Sequence, residues 1–88
     1  MYSFIVSEEI CKIFAKLSKR DKEQLKAIRN KIRQILDDPY RFKPLKAPLQ
    51  NKSRVHIDKS FVLVYSIDEQ NKQIIIEDYD HHDNIYGR

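Results

Sequence analysis

The sequence predicts an α+β fold in which an N-terminal helical hairpin packs on one face of a small antiparallel sheet. Two helical patterns of apolar residues occupy the first half of the chain, and strand patterns of period two occupy the second half. At 88 residues and 41% apolar content the chain can build only one small core. Residues 1–88 are therefore expected to form a single domain.

The first helix is predicted to follow a short N-terminal strand. Residues 2–6 are aromatic and β-branched, which indicates a strand, and Ser7 followed by two glutamates is typical of a helix start. Apolar residues then recur at helical spacing as far as Leu17. We expect this helix to end near Ser18.

The second helix is predicted over about sixteen residues. Asp21 and Gln24 resemble a capping box, and Pro39 forces the residue before it out of helical geometry. The connection between the helices is short, so they must form an antiparallel hairpin. A basic row beside the apolar stripe of this helix is expected either to line a groove or to be simply solvated; it comprises Lys22, Lys26, Arg29 and Arg33.

After a proline-rich loop at residues 39–53, the pattern changes to a three-strand meander. We expect apolar residues to pin the loop to the core. With a three-residue turn at residues 58–60, Ile57 opposes Phe61 and His56 opposes Val62, whereas a shorter turn would shift this register. Arg54 and His56 then face away from the helices, on a side of the sheet that is predicted to be partly open. The apolar residues expected in the loop are Phe42, Leu45 and Leu49.

Charge divides the chain unevenly. Residues 1–54 hold fourteen Lys and Arg against six Asp and Glu, while residues 55–88 hold three against seven. The basic half favours a polyanion or an acidic protein as partner. No apolar run approaches the roughly 18 residues of a membrane helix, and the start has no basic leader, so a cytoplasmic protein without membrane contact is expected.

Three stretches in this order resemble the RelE/ParE superfamily of toxins from toxin–antitoxin pairs, and more closely its RelE-like messenger RNA interferases. They are the basic strand SRVHI, the apolar strand FVLVYSI and the ending DHHDNIY. The resemblance covers nearly the whole chain. It implies a ribosome-dependent endoribonuclease in which the 2′-hydroxyl of the RNA attacks the adjacent phosphate without metal or cofactor. The implied partners are a cognate antitoxin protein, the ribosome and mRNA.

The resemblance also implies roles for particular residues. Arg54 is expected to hold a phosphate oxygen, and His56 stands where relatives usually carry lysine and would act as base or acid. One of His81 and His82 would be the acid, because alternating strand geometry turns only one of them toward the RNA; His82 is favoured. Tyr86 would stack on a base or steady the reacting hydroxyl. Further RNA-binding cations are expected at Lys43, Lys46, Lys52 and Arg88.

One departure from the family pattern leaves alternatives open. Many relatives carry arginine on the strand where this chain has Val62, which has no charge to hold a phosphate. The chain is therefore either a nuclease with a replacement cation, a catalytically weakened relative that only binds, or a ParE-like inhibitor of a topoisomerase. A separate hypothesis is a metal site in the segment Asp80–Asp83. It is disfavoured because adjacent histidines on extended chain point apart.

Overall fold

The computed structural model describes residues 2–42 and 52–86, the last of these at its backbone alone. Its elements follow the predicted order with one short helix added at the end. They are β1 (Ser3–Val6), α1 (Glu8–Arg20), α2 (Lys22–Asp37), β2 (Lys52–Ile57), β3 (Phe61–Asp68), β4 (Gln73–His81) and α3 (His82–Tyr86).

The helical hairpin is held at both helix starts by the caps that the sequence predicts. The Ser7 side chain accepts a hydrogen bond from the Ile10 N–H at 3.2 Å, and the Asp21 carboxylate accepts one from the Gln24 N–H at 3.0 Å. The first helix runs to Arg20, two residues past the expected end. Asp21 serves both helices, since its own N–H donates to the Leu17 carbonyl and thereby closes α1.

The sheet is four-stranded with the order β1-β4-β3-β2. The predicted meander of β2, β3 and β4 is antiparallel throughout, whereas β1 pairs with β4 in parallel and makes the sheet mixed. The predicted register of the β2–β3 hairpin is confirmed, with Ile57 opposite Phe61 and His56 opposite Val62. Asp58 supplies the positive φ (53°) that the glycine-free turn requires.

The main core lies between the helices and the sheet. Ile28 and Ile35 of α2 are buried against Val55, Ile57 and residues of the two central strands. Phe42 also packs here, as predicted, while Leu45 and Leu49 lie outside the described residues. On the same side Tyr79 packs between Phe14 and Phe61, and its hydroxyl donates to the Gln24 side chain at 2.6 Å. Among the described residues no helix is long and apolar enough to cross a membrane.

A small second core covers part of the opposite face of the sheet. Val62 and Val64 of β3 are buried there with Ile85 of α3. This face of the sheet is therefore partly open, as predicted, with His56 exposed on it. A single apolar residue in the polar ending folds α3 back over β3, because this removes three aliphatic side chains from water.

A polar clasp joins the segment after α2 to the β3–β4 turn. The Glu69 carboxylate accepts hydrogen bonds from the hydroxyls of Tyr2 and Tyr40 and from the Lys72 ammonium. These bonds lower the pKa of Glu69 to about 2, with the Lys72 bond as the largest cause. In the same region the buried Tyr65 hydroxyl donates to the Pro39 carbonyl at 2.7 Å, so residues 38–42 are fixed from two sides.

The clasp predicts an acid-dependent loss of stability. Because the pKa of Glu69 is lower in the folded chain than its ordinary 4.5, its contribution is complete above pH 4.5 and is lost as pH falls toward 2. We expect Glu69→Gln to flatten the dependence of the melting temperature on pH between these values. Glu77→Gln is the matched control, since the Glu77 carboxylate accepts a hydrogen bond from the Ser66 hydroxyl at 2.7 Å and takes no part in the clasp. An unchanged acid slope in Glu69→Gln would contradict the prediction.

Candidate functional site

Strand β2 presents Arg54 and His56 on the face of the sheet away from the helices. The alternation of the strand decides this, because Val55 and Ile57 are buried in the main core and their neighbours must point the other way. His56 is exposed and Arg54 is half-buried. Two nitrogen-rich side chains thus lie two residues apart on one surface, as the sequence predicts.

Helix α3 brings His82 back over the same face. The His82 N–H donates to the Ser60 carbonyl in the β2–β3 turn at 2.6 Å, and Ile85 is 5% exposed against β3. The His56 and His82 rings consequently stack, with their centroids 5.7 Å apart and their planes inclined by 25°. Two imidazole rings, whose nitrogens can donate or accept a proton, therefore lie side by side.

A β-bulge in β4 decides which histidine of the terminal pair reaches this face. Register shifts between Val64 and Tyr65, whose partners are Asp78 and Ile76, so Glu77 is the extra residue. Beyond the bulge His81 pairs with Phe61 and faces the helix side, where the two rings meet edge to face at 5.6 Å. The His81 ring therefore packs on the helix side and the His82 ring on the opposite side, while Nδ1 of His81 accepts a hydrogen bond from the Asp83 N–H at 3.2 Å.

The environment of His56 favours its neutral form. Partial desolvation is the largest cause that lowers its pKa below the ordinary 6.5, followed by the positive charge of Arg54 and by His82. A neutral imidazole at pH 7 can accept a proton. His56 therefore has the protonation state that a general base needs.

Two acidic side chains beside the site, Asp80 and Asp83, have structural partners. One Asp80 oxygen accepts from the His81 N–H at 2.7 Å and from the Asn84 amide at 3.0 Å, which ties α3 to the end of β4. The Asp83 carboxylate lies 3.5 Å from Nδ1 of His82 and can orient that ring. Within the described residues no group of three or more histidine, cysteine or acidic side chains is arranged to hold a metal ion.

Several predicted RNA contacts lie elsewhere. Lys52 is half-buried at the start of β2, on the strand that carries Arg54 and His56. Lys43, Lys46 and Arg88 lie outside the described residues, as does the side chain of Tyr86. The roles of these residues stay predictions.

The described residues form two basic grooves, one of which borders the site. One, of about 560 Å³, lies along α2 and includes the basic row whose groove-lining position was one of the two expectations; it is lined by Ser18, Lys22, Glu23, Leu25, Lys26, Arg29, Asn30 and Arg33. The other, of about 310 Å³, lies at the free edge of β2 and is lined by Lys31, Arg41, Phe42, Arg54, Val55 and His56. Sequence reasoning did not place Lys31 or Phe42 near the histidines. For Arg41, the basic composition of residues 39–53 was the one sequence feature that indicated a place on the basic surface.

Comparison with solved structures defines the class of protein that has this fold. The chain superposes on the YoeB/ParE toxin from Agrobacterium tumefaciens with a TM-score of 0.81, 15% identity and coverage of 93% of this chain and 99% of the other. It superposes on the YoeB-YefM complex from Staphylococcus aureus with a TM-score of 0.78, 18% identity and coverage of 93% and 98%. For the toxin-antitoxin complex RelBE2 from Mycobacterium tuberculosis the TM-score is 0.72, with 23% identity and coverage of 92% and 98%. The fold is that of the small RelE- and YoeB-type toxins.

Sequence relatives show the family. The chain is 54% identical over 88 residues to the Methanocaldococcus jannaschii protein named "Putative toxin RelE4", covering 100% of this chain and 94% of that protein. It is 51% identical over 86 residues to an uncharacterized protein of Methanosarcina mazei, covering 98% and 100%. No family model matches the chain. The chain belongs to the RelE/ParE toxin superfamily, as a RelE-like toxin.

Proposed function

We propose that this toxin cleaves messenger RNA on the ribosome through attack of the 2′-hydroxyl on the adjacent phosphate. The observation that carries the proposal is the stacked pair of His56 and His82 rings, 5.7 Å apart on the face of the sheet that also carries Arg54. A base, an acid and a fixed cation are what this reaction needs without a metal.

The roles follow from charge and position. Neutral His56 takes the proton from the 2′-hydroxyl, whose oxygen then bonds to phosphorus. The bond from phosphorus to the 5′-oxygen breaks, and that oxygen takes a proton from the imidazolium of His82. Arg54 holds the negative charge of the phosphorane. The products are a 2′,3′-cyclic phosphate and a 5′-hydroxyl, and neither histidine returns to its starting state until a proton moves back.

The stacked geometry also supports a division of labour between the histidines. Two imidazolium rings at this distance repel each other, so protonation of one disfavours protonation of the other. The pair therefore disfavours the state in which both rings are charged, and the lowered pKa of His56 makes His56 the ring that stays neutral and can accept a proton.

A cognate antitoxin is part of the same proposal. Two solved structures with this fold are described as the YoeB-YefM complex and the toxin-antitoxin complex RelBE2. The groove along α2 offers a surface for an acidic segment, because four of its lining side chains are Lys or Arg and only Glu23 opposes them. An antitoxin helix on this surface would neutralise much of the charge that RNA or the ribosome would otherwise meet.

The second candidate is a toxin of this family that acts by binding alone. The observation in its favour is Val62, which is buried under α3 where many relatives would offer a cation. Among the described residues, Arg54 is the cation on this face of the sheet that lies nearest to His56 in sequence. The two candidates differ in whether RNA ends are produced.

Mapping of RNA ends after induction of the toxin tests the proposal. We expect breaks that align with codons and carry 2′,3′-cyclic phosphates, because only cutting in the decoding site sets such a phase. The control is induction of the double variant His56→Ala/His82→Ala to the same level. Growth arrest by the wild-type toxin without new codon-aligned ends would contradict nuclease function and favour the binding candidate.

A further inference from the structure

The groove at the free edge of β2 continues the candidate site around the side of the sheet. Arg54 and His56 belong to both, since they line the groove and also face the His82 ring. Val55 of β2 also lines the groove, and the remaining side chains, Lys31, Arg41 and Phe42, come from α2 and from the segment after it. The groove, whose volume is about 310 Å³, therefore extends the candidate site beyond the histidines.

The side chains in this groove have a consistent chemistry. Lys31, Arg41 and Arg54 supply three fixed positive charges, and none of the described residues that line the groove is acidic. Phe42 supplies an aromatic ring that is half-buried, with the Lys31 ammonium 5.8 Å from its centroid. Cations beside an aromatic ring are the combination with which proteins bind single-stranded nucleic acid, the cations taking phosphates and the ring stacking on a base.

The segment that carries Arg41 and Phe42 is fixed before any ligand arrives. The Arg41 N–H donates to the Asp38 carbonyl at 3.2 Å, and the Tyr40 N–H donates to the Asp38 carboxylate at 3.1 Å. The Tyr40 hydroxyl is held by Glu69, as described above. A pre-organised surface loses less conformational entropy on binding than a mobile one.

We propose that this groove is a second subsite for the same RNA strand, where Lys31 and Arg41 hold a phosphate and Phe42 stacks on the base of a nucleotide next to the cleaved bond. The inference rests on the proposed function for its substrate. It requires only binding, however, so it can be tested without cleavage.

The test uses a short single-stranded RNA that 2′-O-methyl groups make uncleavable. Its binding is measured by fluorescence anisotropy at several salt concentrations. We expect Lys31→Ala and Arg41→Ala each to weaken binding and to reduce the slope of log affinity against log salt by about 0.7. Phe42→Leu, which keeps an apolar side chain against the core, should weaken binding about tenfold with the slope unchanged. Lys16→Ala, an exposed lysine of α1 outside both grooves, is the matched control and should keep wild-type binding.

Each possible result of this test either supports or overturns the subsite. Wild-type affinity and salt slope in both Lys31→Ala and Arg41→Ala would overturn the subsite, and so would absence of RNA binding by the wild-type protein at about 50 mM salt, where contacts to phosphate are strong. The subsite would also be overturned if Lys31→Ala and Arg41→Ala lost binding to an acidic protein partner but still bound RNA like the wild-type protein. If the wild-type protein never cuts RNA but the groove variants lose RNA binding, the subsite stands and only the nuclease proposal fails.

Discussion

Replacement of His56 or His82 by alanine is expected to lower the rate of mRNA cleavage by about 10²–10⁴-fold, the range in which a positioned acid or base contributes. His56 is exposed, so its removal leaves no cavity in the main core. His82 is anchored through its backbone N–H to Ser60, a bond that alanine keeps. The variants should therefore melt close to the wild-type temperature. Single-turnover cleavage on translating ribosomes measures the effect.

His81→Ala is the control that the bulge in β4 provides. His81 is the neighbour of His82 in sequence but packs against Phe61 on the helix side of the sheet. We expect this variant to cut RNA at a rate within a few-fold of wild type, with a small loss of melting temperature. A large loss of cutting in His81→Ala together with full activity in His82→Ala would contradict the assignment.

The pH dependence gives the base a separate readout. His56 is active when neutral, and its pKa in the folded chain lies below 6.5. Cleavage by the wild-type toxin should therefore rise with pH in the acid range and stop rising before neutrality on account of this group. In His56→Ala this acid limb should disappear from the small residual rate. If the rate of His56→Ala still rose with pH in the acid range as the wild-type rate does, the base would be another group.

The fold could be predicted from the sequence where local signals were strong. The second helix has a cap at Asp21, a stop at Pro39 and apolar residues at helical spacing, and the structure gives it sixteen residues, as expected. The β2–β3 register followed from a three-residue turn and from alternation, and His56 opposes Val62. In each case neighbours in sequence determine the geometry.

What could not be predicted depends on contacts between distant segments. The parallel pairing of β1 with β4 joins residues about seventy positions apart, and no local pattern specifies it. Helix α3 is five residues long with Ile85 as its single described buried residue, too short for a helical period to be visible. The bulge at Glu77 inverts the alternation of the last residues of β4. Without knowledge of the bulge, strand geometry alone could not choose between His81 and His82.

The position of Val62 can be tested by giving this chain the arginine that many relatives carry. Val62 is 0% exposed beneath Ile85, so a guanidinium at this position has no room while α3 is docked. A buried unpaired charge costs several kcal/mol. Release of α3 exposes Ile85 and Val64 at roughly 1.5–3 kcal/mol for each side chain, but it leaves neither a buried charge nor a steric clash. Because release is the cheaper outcome, Val62→Arg should detach α3 and remove His82 from His56.

We therefore expect Val62→Arg to reduce stability by about 3–6 kcal/mol, for the exposure of Ile85 and Val64, and to reduce cleavage, although it adds the cation that relatives use. Hydrogen exchange at the His82 amide, which is bonded to the Ser60 carbonyl, should become fast. Val62→Ala, which adds no charge, should keep α3 docked and the His82 amide protected. Stability is read from denaturant unfolding.

A double-mutant cycle separates release of α3 from general damage to the sheet. Ile85→Ala alone removes the apolar contact that docks α3, and it should destabilise the wild-type chain. In the Val62→Arg background the same substitution should cost almost nothing, because Ile85 is already in water. Additive losses would mean that α3 stays docked over the arginine. Wild-type stability with faster cutting in Val62→Arg would mean that the face can admit a cation, and that the apolar cluster under α3 is not what holds His82 beside His56.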